Sequence, residues 1–117
     1  MVQMNSDPVL GMCVKTSSEF KVYISKEIDK SDDYIKMVKN MFNKHCNECA
    51  SMHAFATWRL DNGEEKIELM EIIVSYCNNT TILNQCFSEM RNLLAEFRAE
   101  TNSDTIAIEV NKKFYFN

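Results

Sequence analysis

The chain has 117 residues, a formal net charge of −4 and 45% hydrophobic residues. These values are typical of one globular domain with its own core, and they give no support for a basic surface that binds nucleic acid without sequence preference. Only two glycines and one proline occur, which nearly excludes Gly-rich phosphate-binding loops and long flexible linkers.

The first residues carry little sign of regular structure. Residues 1–13 include Asp7 and Pro8 and contain no apolar run of signal-peptide length. We expect an irregular lead-in over 1–13 and a single α+β domain over 14–117. No stretch approaches the ~20 apolar residues of a membrane span, so we expect no membrane partner. The expected location is the cytoplasm, or the host cytosol or nucleus if the protein is viral, where the five cysteines stay reduced.

A strand and a helix are predicted next. Apolar and polar residues alternate from Glu19 to Ile28, which predicts a strand. The Ser-Asp-Asp sequence at 31–33 then predicts the start of a helix. At 100° per residue, one apolar arc runs to about residue 52, so the sequence predicts a helix of about five turns. The arc contains Tyr34, Ile35, Val38, Phe42, His45, Cys49 and Met52.

A hairpin is predicted after this helix. Asn62-Gly63 lies between two segments rich in strand-forming residues and is typical of a tight hairpin turn. In the second strand, Ile67 and Leu69 have one parity, and Met70, Ile72, Val74 and Tyr76 have the other. The change of parity predicts either a bulge between Leu69 and Glu71 or a strand that is covered on both faces.

A second helix and a strand complete the predicted domain. Asn79, Thr80 or Thr81 is the expected helix cap. The apolar arc that follows contains Ile82, Leu83, Cys86, Phe87, Met90, Leu93, Leu94 and Phe97. TIAIEV at 105–110 is a predicted strand, and FYF at 114–116 a short terminal one. The order βαββαβ with right-handed crossovers predicts a ferredoxin-like α+β sandwich, an antiparallel sheet with two helices on one face.

The segment HCNECASMH at 45–53 contains the candidate metal ligands. His45, Cys49 and His53 would align along the predicted helix, and Cys46 adds a Cys-x-x-Cys pair. A structural zinc needs four ligands, usually as two pairs, and no second pair exists. A catalytic Cys-x-x-Cys also needs a helix N-terminus, whereas this one lies at a C-terminus. A core role is therefore favoured, no cofactor is expected, and a metal- or thiol-dependent enzyme remains the alternative.

The predicted element order is also that of RNA-recognition domains. Val22-Tyr23-Ile24 resembles the short aromatic motif of that family, which would imply binding to single-stranded RNA. The third strand of the family carries a basic-Gly-aromatic signature, but here it reads EEKIELMEIIV and has no aromatic residue before Tyr76. Nucleic acid is therefore not an expected partner, and an RNA-binding domain is a further alternative.

The favoured hypothesis is a non-enzymatic protein-interaction module that forms a homodimer. It rests on a hairpin with apolar residues on both faces, which implies a cover beyond two helices. Acidic residues crowd the same hairpin, where they form either a solvated edge or a docking surface for a basic partner. A methionine-, lysine- and asparagine-rich composition suggests a viral or phage factor that binds a host protein. The predicted partner-binding residues are Trp58, Met70, Ile72, Val74, Tyr76, Glu64, Glu65 and Glu68.

Overall fold

The computed structural model describes residues 4–7, 10–13, 17–102 and 106–115. Within these residues, two helices and seven strands follow one another. The elements are β1 Met4–Asp7, β2 Leu10–Cys13, β3 Ser18–Ser25, α1 Ser31–Cys46, β4 Ala50–Arg59, β5 Glu65–Cys77, α2 Thr80–Thr101, β6 Ile106–Val110 and β7 Lys113–Tyr115.

Five strands form one antiparallel sheet in the order β4-β5-β3-β6-β7. Both helices pack on one face of this sheet. The predicted ferredoxin-like α+β fold is confirmed, with β7 added at the edge beside β6. Neither helix in the described part of the chain has the length and hydrophobicity that a bilayer span requires.

The core lies between the helices and the inner face of the sheet. Alternation along β3 directs Phe20, Val22 and Ile24 inward, where all three are fully buried. Side chains from both helices complete this core. Phe20 packs edge-on against Phe42 of α1, with ring centroids 5.0 Å apart. The predicted apolar arc of α2 is confirmed as a core face, and Asn79 caps this helix by accepting a hydrogen bond from the Ile82 N–H.

The first helix ends six residues earlier than the sequence pattern predicts. α1 stops at Cys46 because Asn47 adopts the left-handed conformation, with φ of 66°, and closes the helix with a bond to the Asn43 carbonyl. The chain then extends into β4 at Ala50, so Cys49 and Met52 are not helical. The prediction failed because β4 continues, by coincidence, the apolar spacing of the helix.

The hairpin is confirmed, but the predicted bulge is absent. Gly63 has φ of +88° at the turn, and the Leu60 N–H donates to the Glu64 carbonyl at 2.7 Å. Pairing is continuous from Ala50 opposite Val74 to Arg59 opposite Glu65. The change of parity arises because β5 carries apolar residues on both of its faces.

The hairpin extends beyond the rest of the sheet. β3 pairs with β5 only between Met70 and Cys77, so residues 55–69, which we call the arm, form a two-stranded ribbon. On the helix-side face of the arm, Phe55 is 74% exposed and Ile67 is 63% exposed. The helices therefore do not cover this part of the hairpin.

The N-terminal region contains a separate pair of strands. β1 and β2 are antiparallel, with Met4 opposite Cys13. These eight described residues, which fall in the predicted irregular lead-in over 1–13, are therefore in strands. The start of the larger domain at residue 14 stays a prediction, because residues 14–16 lie outside the described residues, as does Phe116 of the predicted terminal strand.

Candidate functional site on the open sheet face

The sheet face opposite the helices contains a groove with a volume of about 680 Å³. This volume is within the range of sites for small organic ligands. Tyr23 of β3, Trp58 of β4 and Phe114 of β7 provide aromatic rings along it. Met70 and Ile72 of β5 contribute apolar surface between those rings.

Alternation and strand order create the groove. Tyr23 pairs with Ile72 on one side and with Ala107 on the other, so all three point to the open face. Small side chains on this face, at Ala54, Ala56 and Ala107, leave space between the larger ones. The centroids of the Tyr23 and Phe114 rings lie 5.7 Å apart.

Two buried acidic side chains flank the groove on the same face. Glu109 of β6 is 6% exposed and accepts a hydrogen bond of 2.5 Å from the Tyr23 hydroxyl. Burial of Tyr23, together with this bond and the charge of Glu109, raises the pKa of the Tyr23 phenol well above its ordinary value. The hydroxyl therefore remains a donor to Glu109 across the physiological pH range.

Glu68 is the second buried acid. It lies on β5 between the groove residues Lys66 and Met70, is 3% exposed and accepts a hydrogen bond from the Ser25 hydroxyl through Oε2. Its Oε1 atom is buried and has no hydrogen-bond partner among the described residues, and the Lys66 Nζ atom is 3.8 Å away. A buried carboxylate with so few donors retains much of its capacity to attract a cation.

The groove combines features that suit a cation with features that suit an anion. Aromatic faces and two flanking carboxylates suit an organic cation, because ring quadrupoles and acids attract positive charge. Lys66, which also lines the groove and shares the face of Trp58, suits a ligand carboxylate. The arrangement fits a ligand that carries a ring, a positive centre and an acid.

The four candidate metal ligands of the 45–53 segment have separate partners. His45 Nε2 lies 3.1 Å from Glu89 Oε1, outside hydrogen-bond geometry, and Cys46 Sγ faces Cys77 Sγ. Cys49 Sγ points to the Lys39 carbonyl, and His53 lies on β4 beside Glu71. Among the residues that the structure describes, no group of three His, Cys, Asp or Glu side chains could hold a metal ion.

The predicted partner-binding residues differ in their position relative to the groove and in their exposure. Trp58, Met70 and Ile72 line the groove, whereas Val74 and Tyr76 lie on the same face outside its lining. Glu64 and Glu65 are exposed at the end of the hairpin. The prediction that the acidic residues of the hairpin form a solvated edge is wrong for Glu68 and Glu71, which are buried on opposite faces of β5. A role of these residues in partner binding stays a prediction.

Sequence reasoning did not select Tyr23, Ser25, Glu109 or Phe114 as site residues. Each comes from a different strand position, and only the register of β3 with β5 and β6 brings them together. The available signal was the polar parity of β3 and an acid inside the otherwise apolar IAIEV strand.

Glu71 is at the centre of an ion-pair cluster on the helix-side face. Lys39 Nζ and His53 Nε2 each lie 3.0 Å from its carboxylate, and Lys26 Nζ lies 3.8 Å away. Burial alone raises the pKa of Glu71, but the hydrogen bonds and charges of Lys39 and His53 outweigh burial and hold it below 4.5. The cluster joins α1 to the sheet.

This cluster predicts a loss of stability in acid. Because the folded-state pKa of Glu71 is lowered, its contribution is complete above the unfolded-state value and disappears as the pH falls through the folded-state value. Glu71→Gln should cost about 1–2 kcal/mol of unfolding free energy at pH 7 and progressively less below pH 4. Urea unfolding from pH 2 to 7 measures this, with the exposed Glu65→Gln as control. An equal cost at all pH values would contradict the assignment.

Comparison with known proteins gives a fold and no family. No family model matches the chain, and no curated protein matches its sequence. A phage SAM lyase, solved in complex with S-methyl-5'-thioadenosine, is similar in structure, with a TM-score of 0.57 at 9% identity over 85% of this chain and 87% of that one. A de novo designed protein, Foldit4, aligns with a TM-score of 0.37 at 17% identity over 86% of this chain and 96% of its own, which carries no argument.

This comparison corrects one expectation from the sequence. The prediction of a non-enzymatic protein is contradicted, since the structural neighbour with the same fold is an enzyme. At 9% identity the likeness itself shows the shared fold alone. The activity of this chain has to be argued from its own groove.

Proposed function

We propose that this chain is a phage enzyme that binds S-adenosylmethionine, or a closely related adenosyl sulfonium compound, in the open-face groove and cleaves it at sulfur. The observation that carries the proposal is an aromatic groove of about 680 Å³ flanked by the buried carboxylates of Glu68 and Glu109. S-adenosylmethionine has the three features that this groove suits: an adenine ring, a sulfonium cation and an amino-acid carboxylate.

Each part of the groove has a proposed task. Trp58 and Phe114 stack on the adenine, and Glu68 and Glu109 favour the sulfonium through their negative potential. Lys66, which lies opposite Trp58 on the arm and on the same face, pairs with the amino-acid carboxylate. Tyr23 fixes the Glu109 carboxylate through the 2.5 Å hydrogen bond.

The proposed cleavage releases S-methyl-5'-thioadenosine. The bond from sulfur to the aminobutyryl carbon breaks, and its electron pair returns to sulfur, which becomes a neutral thioether. The carbon is captured by the carboxylate oxygen of the substrate itself, so a lactone forms and no water is consumed. The opposite charges of the sulfonium and the attacking carboxylate neutralise each other in this transition state, and apolar ring faces that displace water from the ligand favour such a change.

The experiment is incubation of the purified protein with S-adenosylmethionine, followed by liquid chromatography with mass detection. We expect S-methyl-5'-thioadenosine and homoserine lactone in equal amounts, at a rate that scales with protein concentration. The heat-denatured protein is the control for spontaneous breakdown. If the rate of product formation equals that of the control, the enzymatic part of the proposal is wrong.

A second candidate function is self-association through the arm, as the homodimer hypothesis expects. It is favoured by Phe55 and Ile67, which are 74% and 63% exposed on a face that neither helix covers. Exposed side chains of this size on a two-stranded ribbon are typical of a contact surface. This candidate is compatible with the enzymatic one, because strand alternation directs both side chains to the face opposite Trp58, although Phe55 also borders the groove.

A further inference from the structure

Two thiols face each other at the base of the hairpin. Cys46 is the last residue of α1 and Cys77 is the last residue of β5. Their Sγ atoms are 2.7 Å apart, with room for no other atom between them. The pair is separate from the groove and plays no part in the function proposed above.

The surroundings make one thiol of the pair reachable. A small cavity of about 280 Å³ opens beside them and is lined by both cysteines together with His45, Glu48 and Asn78. Cys46 is partly exposed, whereas Cys77 is 4% exposed. A small reagent therefore meets the sulfur of Cys46 first.

The acid–base properties of Cys77 agree with this order. Burial, the hydrogen bond with Cys46 and the proximity of that group raise the pKa of the Cys77 thiol to about 12. A thiol with so high a pKa is almost wholly protonated at neutral pH and is a poor first nucleophile. Cys46 is thus the attacking thiol and Cys77 the resolving one.

We propose that Cys46 and Cys77 form a reversible disulfide by exchange with a small-molecule disulfide such as oxidised glutathione. The Cys46 thiol gives up its proton, and its thiolate attacks one glutathione sulfur; a mixed disulfide forms, and the glutathione thiolate that leaves takes up the proton. The Cys77 sulfur then attacks Cys46 Sγ, and the second glutathione leaves with the Cys77 proton. Two protein thiols are oxidised, one glutathione disulfide is reduced to two thiols, and no further reactant is needed.

Cys49 and Cys86 are the alternative partners nearest to Cys46. Cys49 directs its sulfur to the Lys39 carbonyl at 3.9 Å, away from Cys46. Cys86 of α2 is also close to Cys46, but it is fully buried, and burial together with the neighbouring thiols of Cys46 and Cys77 raises the pKa of its thiol. The geometry thus selects Cys77 over the nearer-in-sequence Cys49 as the partner of Cys46.

The bond would close a loop that contains the whole hairpin. Residues 46 and 77 enclose β4, β5 and the arm, which carries one wall of the groove. A cross-link around a loop of this length removes conformational freedom from the unfolded chain and stabilises the folded one. Oxidation is therefore expected to raise the melting temperature and to fix the end of the hairpin opposite the arm to the end of α1.

The test is oxidation of the full-length protein with oxidised glutathione, then alkylation under denaturing conditions and peptide mapping by mass spectrometry. We expect a Cys46–Cys77 cross-linked peptide, two fewer alkylated thiols and a higher melting temperature that dithiothreitol reverses. Cys49→Ser is the matched control and should retain the cross-link, whereas Cys46→Ser should lose it.

Other mapping outcomes overturn the proposal. A cross-link from Cys46 to Cys49, Cys86 or Cys13 would show that the structure selects a different pair. Full alkylation of all five cysteines after oxidation would show that no disulfide forms. The wild-type map decides the question even if Cys46→Ser or Cys77→Ser fails to fold.

Discussion

Glu68→Gln is expected to weaken the binding of S-adenosylmethionine about 100-fold while it changes the affinity for S-adenosylhomocysteine by less than about threefold. The two ligands share the adenosine and the amino-acid end, but only the first has a positive sulfur. Glu68 is 3% exposed, and little water screens its charge. The amide keeps the size of the side chain and an acceptor oxygen for the Ser25 hydroxyl.

Isothermal titration of both ligands against wild type and variant measures this difference. Glu65→Gln is the matched control, since it removes an acid from the same strand at an exposed position. Circular dichroism establishes that the variant is folded. An equal loss of affinity for both ligands would mean that Glu68 supports the groove structurally and does not favour the cation.

Phe20→Ala is expected to lower the unfolding free energy by about 3–5 kcal/mol, most of the stability of a small domain. Phe20 is fully buried and contacts rings from both helices, Phe42 at 5.0 Å and Phe87 at 6.1 Å between centroids. The change removes the ring that joins the sheet to both helices. Equilibrium unfolding in urea measures the loss.

Phe55→Ala is the matched control for this prediction. Phe55 is 74% exposed on the arm, so in the isolated chain its removal should change stability by less than about 0.5 kcal/mol. A larger cost that grows with protein concentration would instead show that the arm is buried between copies of the chain. Sedimentation velocity of the wild type and of Phe55→Ala then decides between a monomer and the self-association proposed as a second function.

Local patterns in the sequence were sufficient for much of the fold. Alternation in β3, the Asn-Gly turn and the apolar arc of α2 predicted elements that the structure confirms. The end of α1 was missed because its signal is a left-handed asparagine, Asn47, which a search for hydrophobic periodicity does not detect. After Asn47, the apolar residues Cys49 and Met52 continue the spacing of the helix although Met52 lies in β4.

The candidate site was much less predictable, for a physical reason. Trp58, Met70 and Ile72 were selected because they are apolar and lie on the open face, and they do line the groove. The acids Glu64, Glu65 and Glu68 were selected together because they crowd one hairpin, although what distinguishes Glu68 is its burial beside Ser25, far away in sequence. Burial depends on strand register and on distant segments, and neither can be read from a single stretch of sequence.

The relative affinity of the wild-type protein for S-adenosylmethionine and S-adenosylhomocysteine tests the central claim most directly. If the open-face groove recognises a sulfonium cation, the charged ligand binds at least about tenfold more tightly than the neutral one. Trp58→Ala, at the groove, should weaken the binding of both ligands. Equal affinity for the two ligands, or no binding of either at millimolar concentration, would contradict the assignment of the groove as a sulfonium site.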